Sequence, residues 1–90
     1  MNVPRKKAIV KRPLKKSQTN KDLLALGARI RQIRVQLGYT NYEYFAYEND
    51  IPRAQYGRYE NGEDLRYSSL VKVIRAFGMS MEEFFSEGFD

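Results

Sequence analysis

The stretch Asp50-Ile-Pro-Arg-Ala-Gln-Tyr-Gly-Arg-Tyr-Glu-Asn-Gly62 constrains this chain more than any other part of it. At 3.6 residues per turn, Ile51, Tyr56 and Tyr59 fall toward one side, and Arg53, Ala54, Gln55, Gly57 and Arg58 toward the other. The pattern predicts a helix over residues 52–60, about two turns long, with aromatic rings inward and a polar, partly cationic face outward. Pro52 suits a first turn, where its missing N–H is not needed, and Asn61-Gly62 stops the helix. Arg and Gln side by side on an open face allow two readings. Arg forks match guanine edges or phosphates, and Gln pairs bidentately with adenine; alternatively the face is simply solvated.

The flanking sequence predicts further helices. Leu23, Leu26, Ile30, Ile33 and Leu37 recur at spacings of three and four, an amphipathic stripe with Arg29, Arg31 and Arg34 off it. This first helix begins near Thr19 or Asn20, Thr19 with Asp22 approximating a capping box, and Gly38 ends it. Thr40 or Asn41 caps a second helix, with Glu43 in its first turn and Phe45, Ala46 and Tyr42 as inward candidates. That helix ends near Asn49-Asp50, which leaves about three residues before the next, the length of a helix-turn-helix joint. Downstream, Ser68 or Ser69 is the expected cap of a fourth helix with Leu70, Val73, Ile74 and Phe77 inward. Ser80-Met-Glu-Glu83 is a capping box for a fifth, with Met79 stapling against Phe84. The expected lengths are four to five turns for the first helix and two to three for the others. The fold class expected is all-α: a compact five-helix bundle over residues 20–90, preceded by a flexible basic arm over residues 1–19.

Ninety residues amount to one domain. The sequence contains neither cysteine nor histidine, so thiolate metal sites, disulfides and the commonest general base are all absent. No cofactor, metal or small-molecule substrate is expected. Glu82 and Glu83 read as cap residues rather than a catalytic dyad, and an enzyme is a poor reading. No apolar run approaches a membrane span, and the basic start lacks the apolar core of a secretory signal, so a cytoplasmic, nucleoid-associated location is expected. The net charge of +5 is uneven: residues 1–20 hold seven cations and no acid, and residues 21–90 hold nine cations against eleven acids. The cationic character thus belongs to the arm, through Arg5, Lys6, Lys7, Lys11, Arg12, Lys15 and Lys16. Those side chains either touch phosphates or serve as a solubilising tail.

Leu26-Gly27, Ile30-Arg31, Ile33-Arg34, Gly38-Tyr-Thr, Phe45-Ala46, Ile51, Arg58-Tyr-Glu-Asn-Gly62, Leu70 and Ile74-Arg-Ala-Phe-Gly78 together resemble the helix-turn-helix domain of the Cro and phage-repressor type, the XRE family. The resemblance covers roughly residues 22–86 and implies a lambda-repressor-like bundle whose third helix enters the DNA major groove. By position it implies that Arg53, Ala54 and Arg58 face bases and Gln55 a base or phosphate. Asn61 and Gly62 fall in the phosphate-touching loop, and Glu60 packs against Arg31 or Arg34. The chain departs from the family pattern at the start of helix two. Thr40-Asn41-Tyr42 stands where a Ser or Thr followed by Gln is usual, which places Asn41 as the cap and both Asn41 and Tyr42 among the DNA-binding residues, the Tyr42 hydroxyl bonding phosphate. Pro52 replaces a Ser or Thr cap, and Gly57 in mid-helix suggests close approach to a partner or simple tolerance of a small residue. The function implied is sequence-specific binding of double-stranded DNA by a transcriptional regulator. One helix reads only a few base pairs, so a homodimer is expected, with Phe85 and Phe89 either as contact candidates or as closure of the small core. The alternative is a protein-interaction or antitoxin-like module on the same scaffold, for which Tyr44, Tyr47 and Tyr67 are the surface candidates.

Overall fold

The computed structural model describes residues 20–89. The expectations for the arm and its seven cations lie outside these residues, as does Thr19. Five helices follow in order: α1 Lys21–Gln36, α2 Tyr42–Glu48, α3 Arg53–Glu60, α4 Tyr67–Ala76 and α5 Met81–Phe84, with no strand among the described residues. The architecture is the expected all-helical bundle.

Local chemistry sets the helix starts. The Asn20 side-chain oxygen accepts from the Asp22 and Leu23 amides at 2.7 and 3.3 Å, so Asn20, one of the two expected starts, caps α1. Asn41, not Thr40, caps α2 in the same way, at 2.7 and 3.2 Å from the Glu43 and Tyr44 amides. The Ser80 box forms in both directions, at 3.1 and 2.9 Å, but the helix it starts is a single turn of four residues, shorter than expected. The cap of α4 is a correction. The Arg66 carbonyl accepts from both Ser69 and Leu70 at 3.0 Å, so the helix closes its first turn upstream of Ser68 and Ser69 and begins at Tyr67 without a side-chain cap.

Four helices end alike. The amide two residues past the C-cap reaches back to a carbonyl five residues earlier: Tyr39 to Arg34 at 3.1 Å, Ile51 to Ala46 at 2.9 Å, Glu63 to Arg58 at 3.0 Å and Met79 to Ile74 at 3.3 Å. This motif needs a left-handed residue, supplied by glycine at three of the ends and by Asp50, at φ 57°, at the joint between α2 and α3. The joint is thereby short enough to turn α3 across α2, and the Lys72 ammonium on α4 bonds the Asp50 carbonyl at 3.0 Å.

Ile30 and Ile33 of α1, Phe45 and Ala46 of α2, Ile51, Tyr56 and Tyr59 of the joint and α3, Leu70, Val73, Ile74 and Phe77 of α4 and its end, and Phe84 of α5 form one core. Aromatic rings run through it, Phe45 lying 5.2 Å from Tyr56 and 5.3 Å from Phe77 between centroids. Each large side chain withdrawn from water in this way contributes about 1.5–3 kcal/mol. Helix α3 packs on both α1 and α2. Its approach to α1 is very close: a Cβ on Gly27 would lie 2.7 Å from the Tyr59 and Glu60 carbonyl oxygens.

The stripe on α1 needs one correction. Leu37 is half exposed, because it lies past the last helical turn, where the chain already bends into Gly38. Arg29 and Arg34, which lie off the stripe, are each only 5% exposed. The Arg29 Nε donates to the Phe84 carbonyl at 2.7 Å and its second amino group to the Glu83 carbonyl at 3.0 Å, so one guanidinium closes the C-terminal end of α5. Arg31 is exposed.

Candidate nucleic-acid interface

Two buried features carry α3. Inside the bundle, the Arg34 Nε and one amino group grip the two Glu60 oxygens at 2.8 and 2.9 Å, and the other amino group bonds the Tyr39 carbonyl at 2.7 Å. Both side chains are almost fully buried. The resemblance left Arg31 and Arg34 open as partners of Glu60, and the fold selects Arg34. Glu60 raises the Arg34 pKa above its ordinary value, chiefly through this hydrogen bond, so the guanidinium stays charged at any physiological pH. Tyr56 lies beside the pair with its hydroxyl buried and without a hydrogen-bond partner, and burial pushes its pKa up. The second feature is the close backbone approach at Gly27, which leaves no room for a side chain between α1 and the last turn of α3.

With Ile51, Tyr56 and Tyr59 turned inward, Arg53, Ala54 and Arg58 are exposed together along the opposite side of α3. Among the described residues Arg53 makes no ion pair. Arg58 faces Glu63 across 3.6 Å, both side chains more than half exposed, a loose contact of a kind worth about 0–1 kcal/mol. Gln55 is half-buried, and its amide donates to the Tyr59 hydroxyl one turn on. No side chain caps the start of α3 at Pro52, so its first amides remain open.

The flanking positions divide. Asn61 is exposed, whereas Gly62 is buried under Leu24 with its amide bonded to the Tyr59 carbonyl at 3.2 Å. Of that pair, only Asn61 offers a free polar side chain. Asn41 spends its oxygen on the α2 cap. Tyr42 does not point inward; it is partly exposed and lies across α3, where its ring and hydroxyl would sit 3.0–3.2 Å from a Cβ on Gly57. The close approach expected at Gly57 is therefore met within the chain, by Tyr42. Phe85 is 43% exposed and rests on Phe84 and Phe89 at 4.8 and 4.9 Å, whereas Phe89 is half-buried against the core. Tyr44, Tyr47 and Tyr67 are exposed. At the end of α2, Glu48 has its pKa lowered by the Tyr44 and Tyr39 hydroxyls, and Tyr39, which precedes the helix, reaches its carboxylate at 2.7 Å.

Two contacts at this face were not anticipated from sequence. Glu63 lies five residues from Arg58, beyond helical spacing, and meets it only because the chain reverses at Gly62. Tyr59 stands at i+4 from Gln55, a spacing that carries the signal. Among the described residues no cluster of acidic side chains is placed to hold a metal ion, and no helix is long and apolar enough to cross a membrane.

Comparison with known proteins agrees with this geometry. The restriction-modification controller protein C.Esp1396I is similar in structure, with a TM-score of 0.66 and 25% identity over 74% of this chain and 87% of that one. The restriction-modification controller protein C.AhdI from Aeromonas hydrophila matches with the same score and identity over 73% of this chain and all of the other. The clp gene regulator ClgR from C. glutamicum shares the fold, at a TM-score of 0.67 and 23% identity over 81% and 94% of the two chains. No curated protein matched the sequence at a significant level. A sequence model of the helix-turn-helix family matches residues 30–84, from the middle of α1 to the end of α5. The chain belongs to the helix-turn-helix family, in its Cro and phage-repressor branch, and is a DNA-binding transcription regulator.

Proposed function

We propose that the protein binds a specific duplex sequence with α3 in the major groove, Arg53 and Arg58 reading guanines and Gln55 an adenine. The observation that carries this reading is that Arg53, Ala54 and Arg58 stand exposed on one side of a helix whose other side is locked to α1 and α2. Each good bidentate pair is worth about 1–3 kcal/mol of discrimination. Asn41, Tyr42 and Asn61 touch phosphates beside the groove, which fixes register without carrying sequence information. The open amides at the start of α3 add a partial positive charge there. The basic arm adds phosphate contacts and, with seven cations, makes affinity steeply salt-dependent.

One helix reads only a few base pairs, so a homodimer on two half-sites supplies the remaining specificity. Phe85 is the better contact candidate of the two, since Phe89 is largely used by the protein's own core. Exposed Tyr44 and Tyr47 on α2 favour a second role for the same molecule, a protein contact made beside the DNA.

Selection of bound duplexes from a random pool tests the assignment. The full chain should yield a defined site with two-fold symmetry. The double variant Arg53→Ala/Arg58→Ala should lose that preference while keeping its helix content, and deletion of residues 1–18 should flatten the salt dependence. Site preference that survives the double substitution would remove the two arginines as readers.

A further inference from the structure

Gln55 and Tyr59 sit one turn apart on α3 but in different surroundings. The Tyr59 ring is buried, edge-on to Tyr56 at 6.4 Å and 76°, and its position is set by the core. Its hydroxyl reaches the rim of the groove-facing side and accepts a hydrogen bond from the Gln55 amide. The direction suits helical geometry, since side chains lean toward the N-terminus and a residue at i+4 covers the turn before it. Glutamine has several rotatable bonds, and an untethered one loses that freedom when it binds.

We propose that Tyr59 is a positioning residue for base recognition. Its hydroxyl holds one amide hydrogen of Gln55, so that the second amide hydrogen and Oε1 face outward as a preset donor–acceptor pair. That pair is complementary to the N7 and amino group of adenine. The inference rests on the reading of Gln55 as a DNA-facing residue and adds to it a reason why this position discriminates. Phenylalanine at residue 59 fills the same core volume and removes only the hydroxyl, which separates positioning from packing.

The test uses the full chain, the Tyr59→Phe variant and the Gln55→Ala variant, with two measurements. In the free wild-type protein, nuclear spin relaxation should show the Gln55 side-chain amide as ordered as the backbone, and in Tyr59→Phe as mobile. In competition binding with duplexes varied one base pair at a time, Gln55→Ala should remove preference at one base pair. Tyr59→Phe should weaken that same preference by about tenfold, with other positions, melting temperature and salt slope unchanged. A freely mobile Gln55 amide in the wild-type protein overturns the proposal, as does a Tyr59→Phe variant that keeps the preference or loses affinity evenly at every position. If Gln55→Ala changes no base preference, the reading of Gln55 as a DNA-facing residue fails, and the positioning role falls with it.

Discussion

Two arginine–glutamate pairs hold opposite ends of the same logic. Arg34 and Glu60 meet through two short bonds at 2.8 and 2.9 Å inside the bundle, with a third bond from Arg34 to a carbonyl. Arg58 and Glu63 meet across 3.6 Å in open water. The chemistry is the same; the surroundings differ. Buried charges depend on each other, because removal of either strands the other away from water. Exposed charges lose little on parting, since solvent takes the partner's place. The first pair therefore fixes where α3 lies, and the second leaves an arginine free to exchange its carboxylate for a different acceptor. A regulator needs both: a helix held rigidly, and side chains on it that are not spoken for.

The contrast can be broken at its strong end first. Glu60→Ala should lower stability by about 3–5 kcal/mol, because Arg34 would remain buried without its partner. Urea unfolding reads this, and a loss below about 1 kcal/mol would mean that water reaches Arg34 easily. Gly27→Ala comes next. The new methyl would meet backbone, not a side chain that could swing away, so α1 and α3 must separate at a cost of about 1–3 kcal/mol even though alanine favours helix. DNA binding should fall further than stability alone explains, because the shift displaces the reading face. Glu63→Gln is the mildest. It should alter stability by less than about 0.5 kcal/mol while raising DNA affinity about threefold, since it frees Arg58 and removes a negative charge near the phosphates. An affinity that falls on this change would show that Glu63 orients Arg58 for binding.

The division between strong and weak contacts also marks what could be read from sequence. Phe45, Ile51, Tyr56, Leu70 and Val73 declared themselves, because burial of apolar side chains imposes helical spacing on the chain itself. The ends were legible wherever a glycine or a short polar cap acts within a few residues, as at Gly38, Gly78 and Ser80. Arg29 and Arg34 were not. Spacing treats an arginine as a surface residue, and their partners lie 55 and 26 positions away in the chain, at Phe84 and Glu60. Family resemblance recovered Glu60 but left two arginines open. Gly57 illustrates the remaining gap. Its lack of a side chain was visible, but the ring that occupies the space comes from another helix. For the site, the outward grouping of Arg53, Ala54 and Arg58 followed from periodicity, whereas the involvement of Glu63 depended on a chain reversal that spacing does not encode.

The position of Tyr42 has a consequence for engineering. Because its ring leans across α3 at Gly57, the surface offered to a ligand is composite, with one of its central features rooted in the preceding helix. Transplanting residues 53–60 alone onto a related scaffold would therefore carry over only part of the proposed recognition surface. A faithful graft must bring Tyr42 along and keep a glycine beneath it, and swaps of binding preference between relatives should be designed across the α2–α3 corner as one unit.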